Sequence, residues 1–370
     1  MKPMKILILS ANTGSGHNST ARAIGEQLTK MNIEYEIADT LSFISERVSD
    51  FISWGHSYVY RKLPKLFGIG YCFEEKHPPR FLYKQCARGA EALHAKLEAE
   101  PFDAVICVHV FSGMMMTEVR NRYQNRIPLY FVSTDYTCSP GVSEISADGY
   151  FIPHRMLLGE FVRNGAIAAD KLFATGIPVA SSFCETEDQG EARRVLGLPE
   201  EGKIVLLSCG SMGAGKLEKS ARMLPRYLPE DATLVVLCGL NEKLYEQLKP
   251  YENEHLRIIG FTEQISTYMS TADLYITKPG GLTTSEAIAK RLPMIFINAV
   301  PGCELRNFEF LISNGVAGGA KKWKQVALMM QKSFRDPTIF AQQVEVMKSF
   351  VTHNAAEQIC RHIVSDLRKQ

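Results

Sequence analysis

Leu274-Tyr275-Ile276-Thr277-Lys278-Pro279-Gly280-Gly281-Leu282-Thr283-Thr284-Ser285-Glu286-Ala287 decides how this chain is read. Leu274–Thr277 is an apolar run with the pattern of a buried strand. Ala287, Ile288 and Leu292 continue at helical spacing. A strand, a glycine turn, hydroxyl side chains and a helix start together predict an anion site. Gly280 and Gly281 let the backbone approach a ligand closely. The helix start offers N–H groups and positive dipole charge to a phosphate. Thr283, Thr284 and Ser285 can cap the helix or donate to phosphate oxygens. Glu286, in the first turn, can accept from a vicinal ribose diol. The pattern points to a sugar-nucleotide diphosphate; the plainer alternative is an ordinary capped helix.

Working outward, strand-like runs alternate with helical patterns, which predicts parallel α/β architecture. Strands are expected at 5–10, 35–38, 104–109, 129–133, 149–152 and 172–175. A second set is expected at 204–209, 234–238, 257–259, 274–277 and 294–297. Each half opens with a strand, a glycine-bearing turn and a helix, so two Rossmann-like units are expected. The expected division is 1–177, 178–335 and a helical tail, 336–370, packing back on the first domain.

The bulk numbers bound the class. The chain has 370 residues, 45% hydrophobic and 22% charged, with a formal charge of +2. This fits a two-domain globular protein and gives no argument for nucleic acid. Nine cysteines occur without a C-x-x-C pair. Met1-Lys2-Pro3-Met4 leads straight into a strand, so no signal peptide is expected and the thiols should be reduced and cytosolic. No apolar run reaches the roughly 20 residues of a membrane span, so any membrane role must be peripheral.

Several loops carry candidate chemistry. Gly14-Ser15-Gly16-His17 follows the first strand, but its spacing is not that of a dinucleotide site. His17 is either a general base for a hydroxyl nucleophile or a helix-start cap. His109 ends another strand and either lines the acceptor side or is structural. Asp135, in Ser133-Thr134-Asp135-Tyr136, is a second base, a partner for His17, or a turn cap. Gly210-Ser211-Met212-Gly213 suits close approach by a diphosphate or sugar. Phe261 and Thr262 follow a strand as a nucleobase platform, or Phe261 is core. Glu304 and Asn307 share a helix face and form a carboxylate–amide pair suited to sugar hydroxyls. A first-turn acid favoured by the helix dipole is the alternative for Glu304. No D-x-D sequence follows a strand, so no metal is expected at the diphosphate.

Taken in order, these segments resemble the monogalactosyldiacylglycerol synthase-like glycosyltransferases, including the bacterial processive diacylglycerol glucosyltransferases. More distantly, the chain is similar to the peptidoglycan N-acetylglucosaminyltransferase that makes lipid II. The resemblance rests on Gly14–Ala21, Thr134-Asp135, Gly210–Gly213, Thr277–Ala287 and Pro301-Gly302-x-Glu304-x-x-Asn307. It implies a GT-B fold, two Rossmann-like domains facing across a cleft. It also implies an inverting, metal-independent transfer from a UDP-sugar, with no cofactor beyond that donor.

By the same resemblance, Thr283, Thr284 and Ser285 would contact the diphosphate, Glu286 the ribose, Phe261 the uracil region, and Glu304 and Asn307 the hexose. His17 would be the base, with Asp135 beside it. Gly14, Gly16 and His109 would face the acceptor. Many members carry a His-and-Trp segment soon after Thr-Asp. This chain reads Tyr136-Thr137-Cys138-Ser139-Pro140-Gly141-Val142-Ser143-Glu144 instead, so the resemblance does not carry the acceptor lipid's identity.

Phe51, Ile52, Trp54, Tyr58, Val59 and Tyr60 alternate with Arg61, Lys62 and Lys65, ahead of Leu66-Phe67-Gly68-Ile69. That mix suits an interfacial helix on anionic headgroups, on the inner face of the membrane; helices packed on the first sheet are the alternative. Other classes compatible with the chain are a UDP-sugar 2-epimerase-like enzyme and a non-catalytic UDP-sugar sensor. The epimerases carry Asp-Ser-Gly-Gly where this chain has Lys278-Pro279-Gly280-Gly281.

Overall fold

The computed structural model describes residues 4–12, 14–44, 63–77, 80–163, 165–210, 217–297, 299–350 and 354–369. It divides into two units. The first is Met1–Ser181 with Val300–Cys303 and His353–Gln370; the second is Ser182–Ala299 with Glu304–Thr352.

The first unit is built on a six-stranded parallel sheet, in order β2-β1-β3-β4-β5-β6. Its strands are β1 (Lys5–Ser10), β2 (Glu34–Asp39), β3 (Ala104–Cys107), β4 (Leu129–Val132), β5 (Gly149–Ile152) and β6 (Leu172–Ala174). Ile6, Leu7, Ile8 and Leu9 are all fully buried. A parallel sheet covered by helices on both faces requires such unbroken apolar strands. Three helices matter here: α1 (Ser15–Lys30), α2 (Pro64–Lys76) and α3 (Val110–Tyr123).

The second sheet is also parallel and six-stranded, in order β12-β11-β10-β7-β8-β9. It comprises β7 (Ile204–Ser208), β8 (Thr233–Leu237), β9 (Leu256–Ile259), β10 (Leu274–Thr277), β11 (Met294–Phe296) and β12 (Gly318–Gly319). Sequence pattern does not anticipate β12, because two glycines offer no apolar signature. Glycine is required there: a Cβ at Gly319 would lie 2.7 Å from the Phe308 ring.

The expected tail divides between the units. After α4 (Gly281–Ala289) and α5 (Cys303–Ser313), α6 (Thr338–Phe350) stays with the second unit, where the Gln343 side-chain Oε1 accepts from Met294 N at 3.0 Å. The last helix, α7 (Ala355–Leu367), packs on the first sheet. Ile359, Cys360 and Ile363 are fully buried, and the Tyr130 hydroxyl donates to Asp366 at 2.6 Å.

Each sheet has a switch point where successive connections turn to opposite sides: β1/β3 in the first, β7/β10 in the second. Loops at the carboxyl ends of those strands are where α/β sheets bind ligands.

Candidate functional site

The β1/β3 switch point holds two histidines. His17 lies in the first turn of α1, directly after β1. Its Nδ1 is 3.0 Å from the Val108 carbonyl and 3.1 Å from Thr134 Oγ1. A carbonyl can only accept, so Nδ1 carries the proton and Nε2 is the basic nitrogen. The structure therefore presents His17 in the tautomer a general base needs.

His109 packs edge-on against His17, with ring centroids 4.5 Å apart. Its own Nδ1 accepts from Phe111 N and caps α3. Asp135 follows Thr134, and its backbone carbonyl accepts from Ser133 Oγ at 3.3 Å. Val108 and Thr134 are both within hydrogen-bond distance of His17 Nδ1. Gly14 precedes α1 in extended backbone, and a Cβ there would meet nothing within 4 Å. Gly16 lies in the first turn beside His17.

The β7/β10 switch point carries the turn expected to bind an anion. Helix α4 begins at Gly281 with Gly280 as its N-cap, and no side chain caps it. Its first N–H groups are therefore available to an external acceptor. A Cβ at Gly280 would meet nothing within 4 Å, so the turn is open to a close ligand. Thr283, Thr284 and Ser285 lie inside the helix rather than at its cap. Thr283 is half-buried, Thr284 is fully buried with its hydroxyl unpartnered, and Ser285 donates to the Gly281 carbonyl at 2.8 Å.

Glu286 is half-buried in this helix. Burial pushes its carboxyl from the ordinary 4.5 up to about 8. At the end of β7, Gly210 has φ of +76°, a backbone that favours glycine. Ser211, Met212 and Gly213 lie outside the described residues. Beyond β9, Phe261 is 64% exposed, which leaves its ring face available for stacking and rules out a core role. Thr262 Oγ1 accepts from Gln264 N at 3.1 Å.

Glu304 and Asn307 are placed differently from a simple sugar-reading pair. Glu304 forms a buried ion pair with Lys278 at 3.1 Å, and Asn307 donates to the Pro279 carbonyl at 2.9 Å. Both therefore brace the turn ahead of Gly280. Lys278 was visible in the opening motif, but not as a functional group. Its partner is 26 residues away, and only the adjacency of β10 and β11 brings them together. Removing one member of a buried pair costs roughly 3–5 kcal/mol. Lys278→Met leaves the buried Glu304 carboxylate without this ammonium, and a fall of about that size in urea-unfolding stability is expected. An unchanged midpoint would show that the pair does not hold the turn.

Comparison with known proteins agrees with this layout. Residues 17–179 match the monogalactosyldiacylglycerol (MGDG) synthase family, and residues 204–300 match the glycosyltransferase family 28 C-terminal domain. A processive diacylglycerol beta-glucosyltransferase of Staphylococcus carnosus is 26% identical over 377 residues, covering 97% of this chain and 92% of that protein. Among solved structures, Acinetobacter baumannii MurG superposes with a TM-score of 0.62 at 15% identity, over 100% of both chains. The S. aureus MnaA–UDP co-structure superposes with a TM-score of 0.64 at 14% identity, over 99% of this chain and 97% of that one. With two matching domains in order, and relatives spanning nearly its whole length, the chain is a glycosyltransferase of the GT-B fold that resembles the monogalactosyldiacylglycerol synthase-like enzymes.

Proposed function

We propose that this protein transfers a hexose from a UDP-sugar, UDP-glucose or UDP-galactose, to diacylglycerol or a related lipid. The observation that carries the donor half is the uncapped start of α4 beside the open Gly280 turn, with Glu286 in that helix. The name borne by the S. carnosus relative supports the lipid half. In this reading His17 Nε2 takes the proton of the lipid hydroxyl. That oxygen bonds to the anomeric carbon from the face opposite the diphosphate, whose bond to that carbon breaks. The sugar is inverted, UDP departs, and the N–H groups of α4 stabilise its charge in place of a metal. Glu286 accepts from the ribose, Phe261 stacks near uracil, and Glu304 and Asn307 order the turn beside the hexose.

Membrane contact is peripheral in this reading, on the cytoplasmic face. Among the described residues no helix is long and apolar enough to cross a bilayer. The aromatic and basic stretch from Phe51 to Lys62 lies outside the described residues. Helix α2 supports the reading: Leu66, Ile69 and Phe73 are exposed at helical spacing. Their apolar area is of the kind that inserts at the headgroup boundary. Changing Ile69 and Phe73 together to Glu is expected to reduce co-sedimentation with anionic vesicles at least about tenfold, since each buried large side chain contributes about 1.5–3 kcal/mol. Undiminished sedimentation would remove α2 from the membrane contact. The reading as a whole is tested by lipid-dependent UDP release, which a free-standing sensor would not show.

A further inference from the structure

Helix α2 has a second face. Opposite Leu66, Ile69 and Phe73, the residues Phe67, Gly68 and Tyr71 turn toward Pro301-Gly302-Cys303 within the first unit. A Cβ at Gly68 would run into Pro301. At Gly302, where φ is +117°, a Cβ would lie 3.0 Å from the Phe67 ring and 3.3 Å from the Tyr71 ring. The phenol ring is therefore fixed by close packing.

Its hydroxyl is not satisfied. Tyr71 Oη is buried and makes no hydrogen bond. Ser139, in the segment that departs from the family pattern, is close enough to influence the phenol but does not close a bond. The other polar groups around it are Cys303, Asp135 and Glu75. Burial and these groups raise the phenol well above its usual range, so it stays protonated and serves as a donor. A buried hydroxyl left unpaired costs about 1–3 kcal/mol and calls for an explanation. The Asp135 charge acts on the phenol, and Asp135 adjoins Thr134, whose hydroxyl touches His17.

We propose that the Tyr71 hydroxyl is a binding residue for the sugar-accepting lipid, donating a hydrogen bond to an oxygen of its glycerol moiety. This rests on the functional reading above. It gives α2 two roles on two faces: one apolar and outward, the other holding a single polar donor for the lipid's polar end. The atypical Tyr136–Glu144 segment, through Ser139, borders the same donor.

Tyr71→Phe tests this, because it removes only the hydroxyl and keeps the packed ring. Steady-state transfer is measured in mixed micelles with diacylglycerol and UDP-glucose varied separately, alongside the thermal midpoint. The expected result is a KM for diacylglycerol raised about five- to tenfold, the worth of one hydrogen bond, with the KM for UDP-glucose unchanged. The midpoint should stay level or rise, since an unpaired buried group is gone. An active wild type and a variant with the same lipid KM would overturn this inference alone. A wild type without lipid-dependent transfer would overturn the functional reading and this inference with it.

Discussion

His17→Ala is expected to abolish sugar transfer while leaving UDP-sugar binding intact. Nδ1 faces the Val108 carbonyl at 3.0 Å, so the ring is held with its proton on that side and Nε2 basic. A positioned base contributes about 10²–10⁴-fold to rate, and a loss in that range is expected in kcat. The residues proposed to bind the donor lie in the second unit, so calorimetric affinity for UDP-glucose should not move. His109→Ala gives the contrast: it removes a ring contact and a cap on α3, so it should cost stability more than chemistry. A His17→Ala enzyme that kept most of its kcat would reassign the base.

Glu286 yields the second large effect, with a definite pH dependence. Its carboxyl, raised to about 8 by burial, is mostly protonated at neutral pH in the empty protein. The ionised form is the stronger acceptor for both hydroxyls of a ribose diol, so donor binding in that mode drives the proton off. Affinity for UDP-glucose should therefore rise by about tenfold per pH unit well below 8 and level off above it. UDP-glucose is the suitable ligand because its diphosphate is a diester that does not titrate there. Proton release on binding should appear as a dependence of the heat on buffer ionisation enthalpy. Glu286→Gln should weaken binding about 10- to 100-fold, as expected for a hydrogen bond to a charged group, and flatten the profile.

The same shift has a stability consequence. Between pH 4.5 and about 8 the folded protein holds a proton that the unfolded chain has released. This carboxyl therefore makes the fold less stable as pH rises through that window, with no further change above it. The variant should lose that slope. A UDP-glucose affinity left unchanged by Glu286→Gln would mean that Glu286 is not the ribose ligand.

Much of the fold was legible in the sequence because buried parallel strands read as unbroken apolar runs, as in Ile6–Leu9 and Val205–Leu207. The anion turn was legible because glycines after a strand and before a helix have few other uses. Longer-range matters were not. The Lys278–Glu304 pair depends on which strands are neighbours, and nothing local to either residue announces it. The region around α2 read as one interfacial block. The structure divides its helix into an exposed face with Ile69 and Phe73 and a packed face with Gly68 and Tyr71. Helical periodicity shows that two faces exist, not which surface covers each. The hydroxyls Thr283, Thr284 and Ser285 looked equivalent as phosphate donors. Where the helix starts makes them unequal: Thr284 is buried and Ser285 is bonded to Gly281.

The proposed reaction of this glycosyltransferase moves a hexose from UDP to a lipid. The most direct measurement is UDP release from UDP-glucose and UDP-galactose, with and without diacylglycerol in mixed micelles. The expected result is release that requires the lipid, with glycolipid formed in equal amount and one donor preferred. UDP release that is indifferent to diacylglycerol, or donor binding without any release in its presence, would exclude diacylglycerol as the acceptor.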